Sequence, residues 1–208
     1  MRSTSKGIDK TFKAVFSFTR DGYGSLEGCG PFSTIYFKLL YNPEQLYIYI
    51  PQKNVLYKGE NTADNLARIL HFNWESIYFI DYISANLPFD PFLTNIYSVS
   101  FSKDYLIRGE LSDHTWIARL SDSPSPDILE FCLLDQSAQL LLDISYIYDK
   151  NIVEYRLPSL VHFWQKKDNL SVEIKFISVT INDPINEKDF IPPDAWFDEN
   201  EDIKTIPF

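Results

Sequence analysis

The stretch Leu46-Tyr47-Ile48-Tyr49-Ile50-Pro51 decides how this chain reads. It alternates aliphatic and aromatic side chains, the residue types that suit a pleated strand. Neither phase of the alternation is polar. Such a strand needs a core on one side and a cover on the other. Pro51-Gln52-Lys53-Asn54 then turns the chain into a short return strand, Val55–Lys58. On the other side Ile35–Tyr41 reads as a strand, and Asn42-Pro43-Glu44 is the turn that joins it to Leu46. Further upstream, Thr11–Thr19 puts Phe12, Ala14, Phe16 and Phe18 on one face and Lys13, Ser17 and Thr19 on the other, before a hairpin signal at Asp21-Gly22.

Period two then gives way to helical spacing. Asn61-Thr62 can cap a helix with Asp64 in its first turn and Leu66, Ile69 and Leu70 along one stripe. Asn73 can cap a second helix from Trp74 to about Leu87, bearing Ile77, Ile80 and Ile83, and Pro88 and Pro91 end it. From Asn95 strands resume: Tyr105–Leu111, Thr115–Leu120, Ile128–Leu134, Gln139–Tyr148, Val153–Gln165 and Leu170–Ile181. Leu140, Leu142, Ile144, Tyr146 and Tyr148 share a face opposite Asp143 and Ser145. The last strand changes phase between Phe176 and Ile177, which predicts a bulge or bend. Short turns between sequential strands predict antiparallel neighbours. The expected fold is mainly β (α+β): a curved antiparallel sheet forming an incomplete β-barrel with a helical lid. It occupies residues 1–193 as one domain, and 194–208 is an acidic, proline-containing tail, extended and partly mobile.

Composition narrows function. The 208 residues are 45% hydrophobic and 23% charged, enough for a sizeable core. With 19 basic against 29 acidic residues the net charge is −10, the wrong sign for a nucleic-acid binder or for electrostatic docking on anionic lipid. No apolar run approaches the roughly 18 residues of a membrane-spanning helix. The first residues lack the apolar stretch of a secretory signal, and Leu26-Glu27-Gly28-Cys29, which imitates a lipoprotein cleavage site, follows Arg20-Asp21 rather than an apolar segment. Cys29 and Cys132 make no disulfide scaffold; one bridge or two buried thiols both suit them.

Catalytic signatures are missing. His71, His114 and His162 stand apart, with no metal-ligand spacing. His114 reads as solvated in a polar turn, His71 as a cation at a helix end, and His162 as a structural strand residue. Cys29 has no obvious base nearby in sequence. Glu75 and Asp81 read as the wet face of a helix, and Asp198–Asp202 lacks the order of a calcium loop. The chain reads as a non-enzyme without cofactor or metal.

What is left over is apolar surplus: 16 Phe, 13 Tyr and 4 Trp. Most of these pack a core. Some are available to line a pocket for hydrocarbon, where each buried methylene is worth about 0.8 kcal/mol.

Several stretches resemble the LolB-like branch of the LolA/LolB lipoprotein-carrier superfamily. They are Leu26-Glu27-Gly28-Cys29-Gly30-Pro31-Phe32, Leu46–Pro51, Val55-Leu56-Tyr57-Lys58-Gly59 and Thr62-Ala63-Asp64-Asn65-Leu66-Ala67-Arg68-Ile69-Leu70. Ala85-Asn86-Leu87-Pro88, Tyr155–Val161, Ile177–Asn182 and Phe190–Pro193 continue the match in order, over about Gly24 to Pro193. The part before Thr11 is short for the helix and strand that open the family fold, and the family's protruding leucine-bearing loop has no clear counterpart in the sequence.

The resemblance implies an incomplete antiparallel barrel of roughly 11 strands, its open side plugged by helices over an apolar cavity. It implies a periplasmic protein, lipid-anchored to the outer membrane in many members. Such a protein holds acyl chains of lipids or lipoproteins non-covalently and works at the inner leaflet of that membrane. On this reading the chain is a monomer, and its ligand contacts are Phe16, Phe18, Phe37, Leu39, Ile48 and Ile50 from strands with Leu66, Leu70, Ile77 and Ile80 from the helices. A one-residue register error would exchange the strand set. Two alternatives stay open: an envelope binding or sensor module that docks a protein partner without lipid transfer, and an enzyme, since a violacein-pathway enzyme resembles this fold as well.

Overall fold

Alternating apolar residues form most of the strands, and the computed structural model holds fifteen strands among the described residues. It describes residues 2–5, 8–11, 13–19, 21–62, 64–65, 79–86, 96–101, 104–111, 114–149, 157–166, 169–180, 187–193, 196 and 203–207. The chain divides into two compact units, Met1–Thr11 with Asp81–Thr180, and Phe12–Ile80 with Ile181–Phe208.

The first unit carries nine strands: β1 (Arg2–Ser5), β2 (Ile8–Thr11), β8 (Ile96–Phe101), β9 (Asp104–Leu111), β10 (His114–Ser121), β11 (Ile128–Leu134), β12 (Leu140–Ile147), β13 (Leu160–Gln165) and β14 (Leu170–Lys175). Their order in the sheet is β2-β1-β14-β13-β12-β11-β10-β9-β8, antiparallel at every step. From β8 to β14 this is a meander of sequential neighbours, as short turns require. β1 then lies against β14. One row of cross-strand partners runs Val172–Phe163–Ile144–Phe131–Ala118–Ile107. A second passes through Leu170, Gln165, Leu142, Leu133 and Trp116 to Gly109. A Cβ on Gly109 would stand 2.2 Å from the Trp116 ring, so only glycine lets the indole lie across β9.

Helix α1 (Phe79–Ile83) covers part of this face with the buried side chains of Tyr82 and Ile83. It ends in a Schellman motif: the Asn86 amide donates to the Asp81 carbonyl at 2.9 Å and the Ala85 amide to Tyr82 at 3.4 Å, with Ala85 at φ 54°. The helix thus ends at Ile83, four residues before the expected Leu87.

The second unit carries β3 (Lys13–Phe18), β4 (Gly24–Cys29), β5 (Ile35–Tyr41), β6 (Gln45–Ile50), β7 (Val55–Glu60) and β15 (Lys204–Pro207), ordered β15-β7-β6-β5-β4-β3. β3 to β7 form an antiparallel meander; β15 joins the free edge of β7 in parallel. Both faces of β6 are used, as its sequence demands. Leu46 and Ile48 lie in one apolar cluster, and Tyr47 in another with Leu40, Leu56 and Trp196, against which Tyr49 and Ile203 pack. Trp196 is the cover, its ring 5.0 Å from that of Tyr49. Phe190 is fully buried, 6.2 Å from the Tyr23 ring. The segment read as a loose tail therefore supplies a buried indole and an edge strand.

Gly24–Cys29, to which the sequence reading gives no element, is a strand. β14 stops at Lys175, the Phe176 amide donates to the Ser159 carbonyl at 3.0 Å, and the chain bends at Ile177, so of the two outcomes expected for the phase change the bend is the one observed. His114 opens β10 half-buried instead of sitting in the turn. The first expected helix begins as the sequence predicts: Asp64 and Asn65 are helical, and Thr62 Oγ1 accepts from the Asn65 amide at 3.3 Å.

Candidate functional site

One face of β3–β7 gathers the strand residues named from sequence. Along a row of cross-strand partners stand Phe16, Leu26, Leu39, Ile48 and Tyr57. Beside it Ala14 faces Gly28 and Gly28 faces Phe37; on the other side Gly24 faces Tyr41 and Tyr41 faces Leu46. Leu26, Leu39, Leu46 and Ile48 are buried, while Ala14, Phe16, Phe37, Tyr41, Ile50 and Tyr57 pack against them only partly buried. Phe16, Phe37, Leu39, Ile48 and Ile50 thus meet in one patch, with the register assumed from sequence.

Phe18 does not join that cluster; at the end of the edge strand it is 39% exposed, because no neighbour beyond β3 covers it among the described residues. Leu66, Leu70 and Ile77 lie outside the described residues, and of Ile80 only the backbone, within α1, is described. Leu26, Leu46, Tyr41 and Tyr57 were missed. Leu46 and Tyr57 carried the signal in their alternation with Ile48 and Val55, whereas Leu26 was hidden by the flanking glycines.

Those glycines shape the patch. A Cβ on Gly28 would come within 2.4 Å of the Phe37 ring, and one on Gly24 within 2.2 Å of the Tyr41 ring. Both aromatic rings therefore lie flat across β4. Burial holds the Tyr41 phenol far above its ordinary pKa, so it stays neutral and adds no charge to the face. The corresponding face of the nine-stranded sheet differs: Trp116, Phe131 and Phe163 are at most 2% exposed and serve as core.

Among the described residues the polar groups stand in separate pairs and ladders. Arg119 on β10 holds Glu130 through Nε at 3.0 Å and Nη2 at 2.6 Å, and Asp104 through Nη1 at 2.8 Å. This is a half-exposed ion-pair ladder across three strands. His162 Nε2 lies 2.8 Å from Ser171 Oγ, with Glu173 opposite His162 in the register. Both strands are interior, so their amides are consumed by the ladders and none is free to hold an oxyanion. Cys29 and Cys132 are unbridged. Burial, then Asp143, 3.4 Å from the sulfur, pushes the Cys132 thiol up to about 12; burial and then Glu27 raise Cys29. Protonated thiols are poor nucleophiles. Asp81 is half-buried, and desolvation raises its pKa. Among the described residues no three His, Cys, Asp or Glu side chains come together as a metal site, and no helix is long and apolar enough to cross a membrane.

A second apolar feature lies in the β4–β5 connection. Pro31–Ser33 forms a 3-10 turn in which Phe32 adopts φ 57° and is fully exposed. Nearby Ile35 and Tyr36 are 36% and 38% exposed, and the Tyr36 ring occupies the space where a Cβ on Gly30 would sit. An aromatic residue in the left-handed region without contacts is strained for no gain in folding.

No family model and no curated protein matches the sequence. Solved structures do match. A LolA superfamily protein from Nitrosomonas europaea shares 11% identity at a TM-score of 0.63, covering 92% of this chain and 86% of its own. A domain named for outer membrane lipoprotein sorting, from Vibrio parahaemolyticus, shares 10% at 0.62, covering 91% and 85%. A DUF1329 family protein from Desulfovibrio piger shares 10% at 0.60, covering 96% and 87%. The chain has the LolA/LolB-like fold: mainly β, built of antiparallel-rich sheets, neither of which closes into a barrel among the described residues.

Proposed function

We propose, from the premise of a LolA-superfamily fold, that this chain is a periplasmic carrier or acceptor that binds the acyl chains of lipids or lipoproteins non-covalently. The observation that carries the reading is the patch of β3–β7, where Phe16, Phe37, Tyr41, Ile50 and Tyr57 surround a buried aliphatic centre yet stay partly open. Aromatic rings on a rigid sheet offer a large apolar contact at low entropic cost. With about 0.8 kcal/mol per methylene removed from water, an acyl chain of a dozen carbons gains enough to bind without any polar contact. The sequence adds Leu66, Leu70, Ile77 and Ile80 to the proposed contact set.

Delivery to the inner leaflet of the outer membrane is assigned to the Pro31–Ser33 turn. Phe32 projects entirely into solvent, and a full aromatic side chain placed in lipid repays about 1.5–3 kcal/mol. Single apolar insertion gives weak, reversible contact, which suits a carrier that must let go. Native mass spectrometry of protein purified without detergent tests the carrier: bound lipid, or uptake of a fatty-acyl probe, is expected. A protein that carries no lipid and takes up no probe would end the proposal. For the turn, Phe32→Glu should lower flotation with zwitterionic phospholipid vesicles while leaving probe uptake intact; unchanged flotation refutes the assignment.

A further inference from the structure

Because β3 to β7 form a meander, every second connection falls at the same end of the six-stranded sheet. One end holds the start of β3, the Pro31–Ser33 turn, the Pro51–Lys53 turn and, in register with Val55, the start of β15. Two kinds of side chain meet there. Phe32, Ile35 and Tyr36 are exposed apolar groups in the middle, and Lys13, Lys53 and Lys204 are exposed cations to either side. From β15 to β3 this end spans about 24 Å, at about 4.8 Å between neighbouring strands. The Lys53 turn is a fixed one: Asn54 adopts φ 51°, its amide donates to the Pro51 carbonyl at 3.1 Å, and its Oδ1 accepts from the Tyr49 hydroxyl at 3.1 Å.

Acids are placed the other way. Of the four between residues 12 and 60, Asp21 and Glu44 lie in turns at the opposite end, and Glu60 closes β7 there. The fourth, Glu27, lies 4.0 Å from Lys38, which offsets it. Glu201 and Asp202 precede Lys204 in sequence, as Arg20 precedes Asp21, so Lys13 and Lys53 are the cations that set the sign of the Phe32 end. Strands of six residues hold the two ends about 20 Å apart. That is more than twice the Debye length of about 8 Å at physiological salt. A surface touching the Phe32 end therefore meets its lysines, while the acids of the far end are screened. The net charge of −10 is an average that the fold distributes unevenly.

We infer that this end of the six-stranded sheet docks on anionic phospholipid, with Phe32 entering the surface and Lys13 and Lys53 meeting the charged headgroups. Exposed rings between flanking ammonium groups suit such an interface, since each ring has the acyl boundary to enter and each cation a phosphate to meet. The inference rests on the membrane contact assigned to Phe32 and adds the headgroup that the contact selects. The test is flotation of the full chain with vesicles of phosphatidylcholine alone and of an equal mixture with phosphatidylglycerol. One lysine near an anionic surface is worth about fivefold in binding, so two predict a gain of about 25-fold for the mixed vesicle at about 0.1 M salt. At about 1 M salt, where the Debye length is about 3 Å, the gain should vanish. Lys13→Gln with Lys53→Gln should lose it already at the lower salt, and Lys13→Arg with Lys53→Arg should keep it. Both variants should bind the zwitterionic vesicle and take up the fatty-acyl probe as the wild type does.

Equal binding of the two vesicles by the wild type, a gain that outlasts high salt, or a glutamine variant that keeps the gain overturns the headgroup preference and leaves the Phe32 contact standing. An arginine variant that loses the gain overturns it as well, since the lysines then act through the fold rather than through their charge. Binding to neither vesicle ends the Phe32 contact along with it, and probe uptake by the same protein still decides the carrier reading on its own.

Discussion

Replacing Gly28 with alanine sets two effects of opposite sign against each other. Glycine inside a strand is normally a weakness, worth about 0.5–1 kcal/mol relative to alanine through the freedom it loses on folding. On that ground alone Gly28→Ala should stabilise. The structure predicts the reverse. The new Cβ would lie 2.4, 2.8 and 2.9 Å from three atoms of the Phe37 ring, well inside van der Waals contact. Phe37 is hemmed in by the Leu26–Leu39–Ile48 cluster, so the ring must leave its place or β4 must shift. Overpacking of this kind costs about 1–3 kcal/mol, and the midpoint of that range, about 2 kcal/mol, leaves a net loss of about 1–1.5 kcal/mol after the backbone gain. Urea denaturation measures it as a lower midpoint at unchanged slope. The decisive arm is a double-mutant cycle: with Phe37→Ala already in place, Gly28→Ala should become neutral or stabilising by up to about 1 kcal/mol. A higher midpoint for Gly28→Ala in the wild-type background would show that the ring does not rest on this glycine, and the description of the patch would be wrong.

Three further outcomes follow from single residues. Ala85→Gly should raise stability by about 0.5–1 kcal/mol, because φ 54° at the end of α1 favours glycine; a lower melting temperature would contradict the Schellman geometry. Trp196→Ala should cost about 3 kcal/mol by uncovering Leu40, Tyr47 and Leu56, and should speed amide exchange in 203–207; a stability change under about 1 kcal/mol would mean the indole is not a cover. Cys132 should alkylate more and more readily up to pH 11 without levelling off, since its thiol titrates only at about 12, and Asp143→Asn should bring the reaction to lower pH. The sign for stability follows. A thiol pKa raised in the folded state favours folding below the ordinary thiol value, and that contribution is lost as pH rises towards 12. A plateau in alkylation near pH 9 would refute the burial.

Strands with clean alternation are legible in the sequence. Ile35–Tyr41 and Ile128–Leu134 match the structure end to end, and the shared face of Leu142, Ile144 and Tyr146 is the buried one. Gly24–Cys29 was not legible, because a glycine in a strand is explained only by the ring from β5 that lies over it. The five strand residues of the patch were readable through register alone; Phe18 failed because its exposure depends on β3 being an edge. β15 carried no signal at all, since a four-residue strand paired with residues about 150 positions earlier is a long-range event that local pattern does not record.

By itself, then, the amino-acid order determined the period of the backbone and that β6 would have two apolar faces, because side-chain alternation is a local property of an extended chain. Which surface would cover each face was decided only in three dimensions. Trp196 reaches Tyr47 and Tyr49, and Phe37 and Tyr41 settle onto Gly28 and Gly24, by contacts that exist only once distant segments have met.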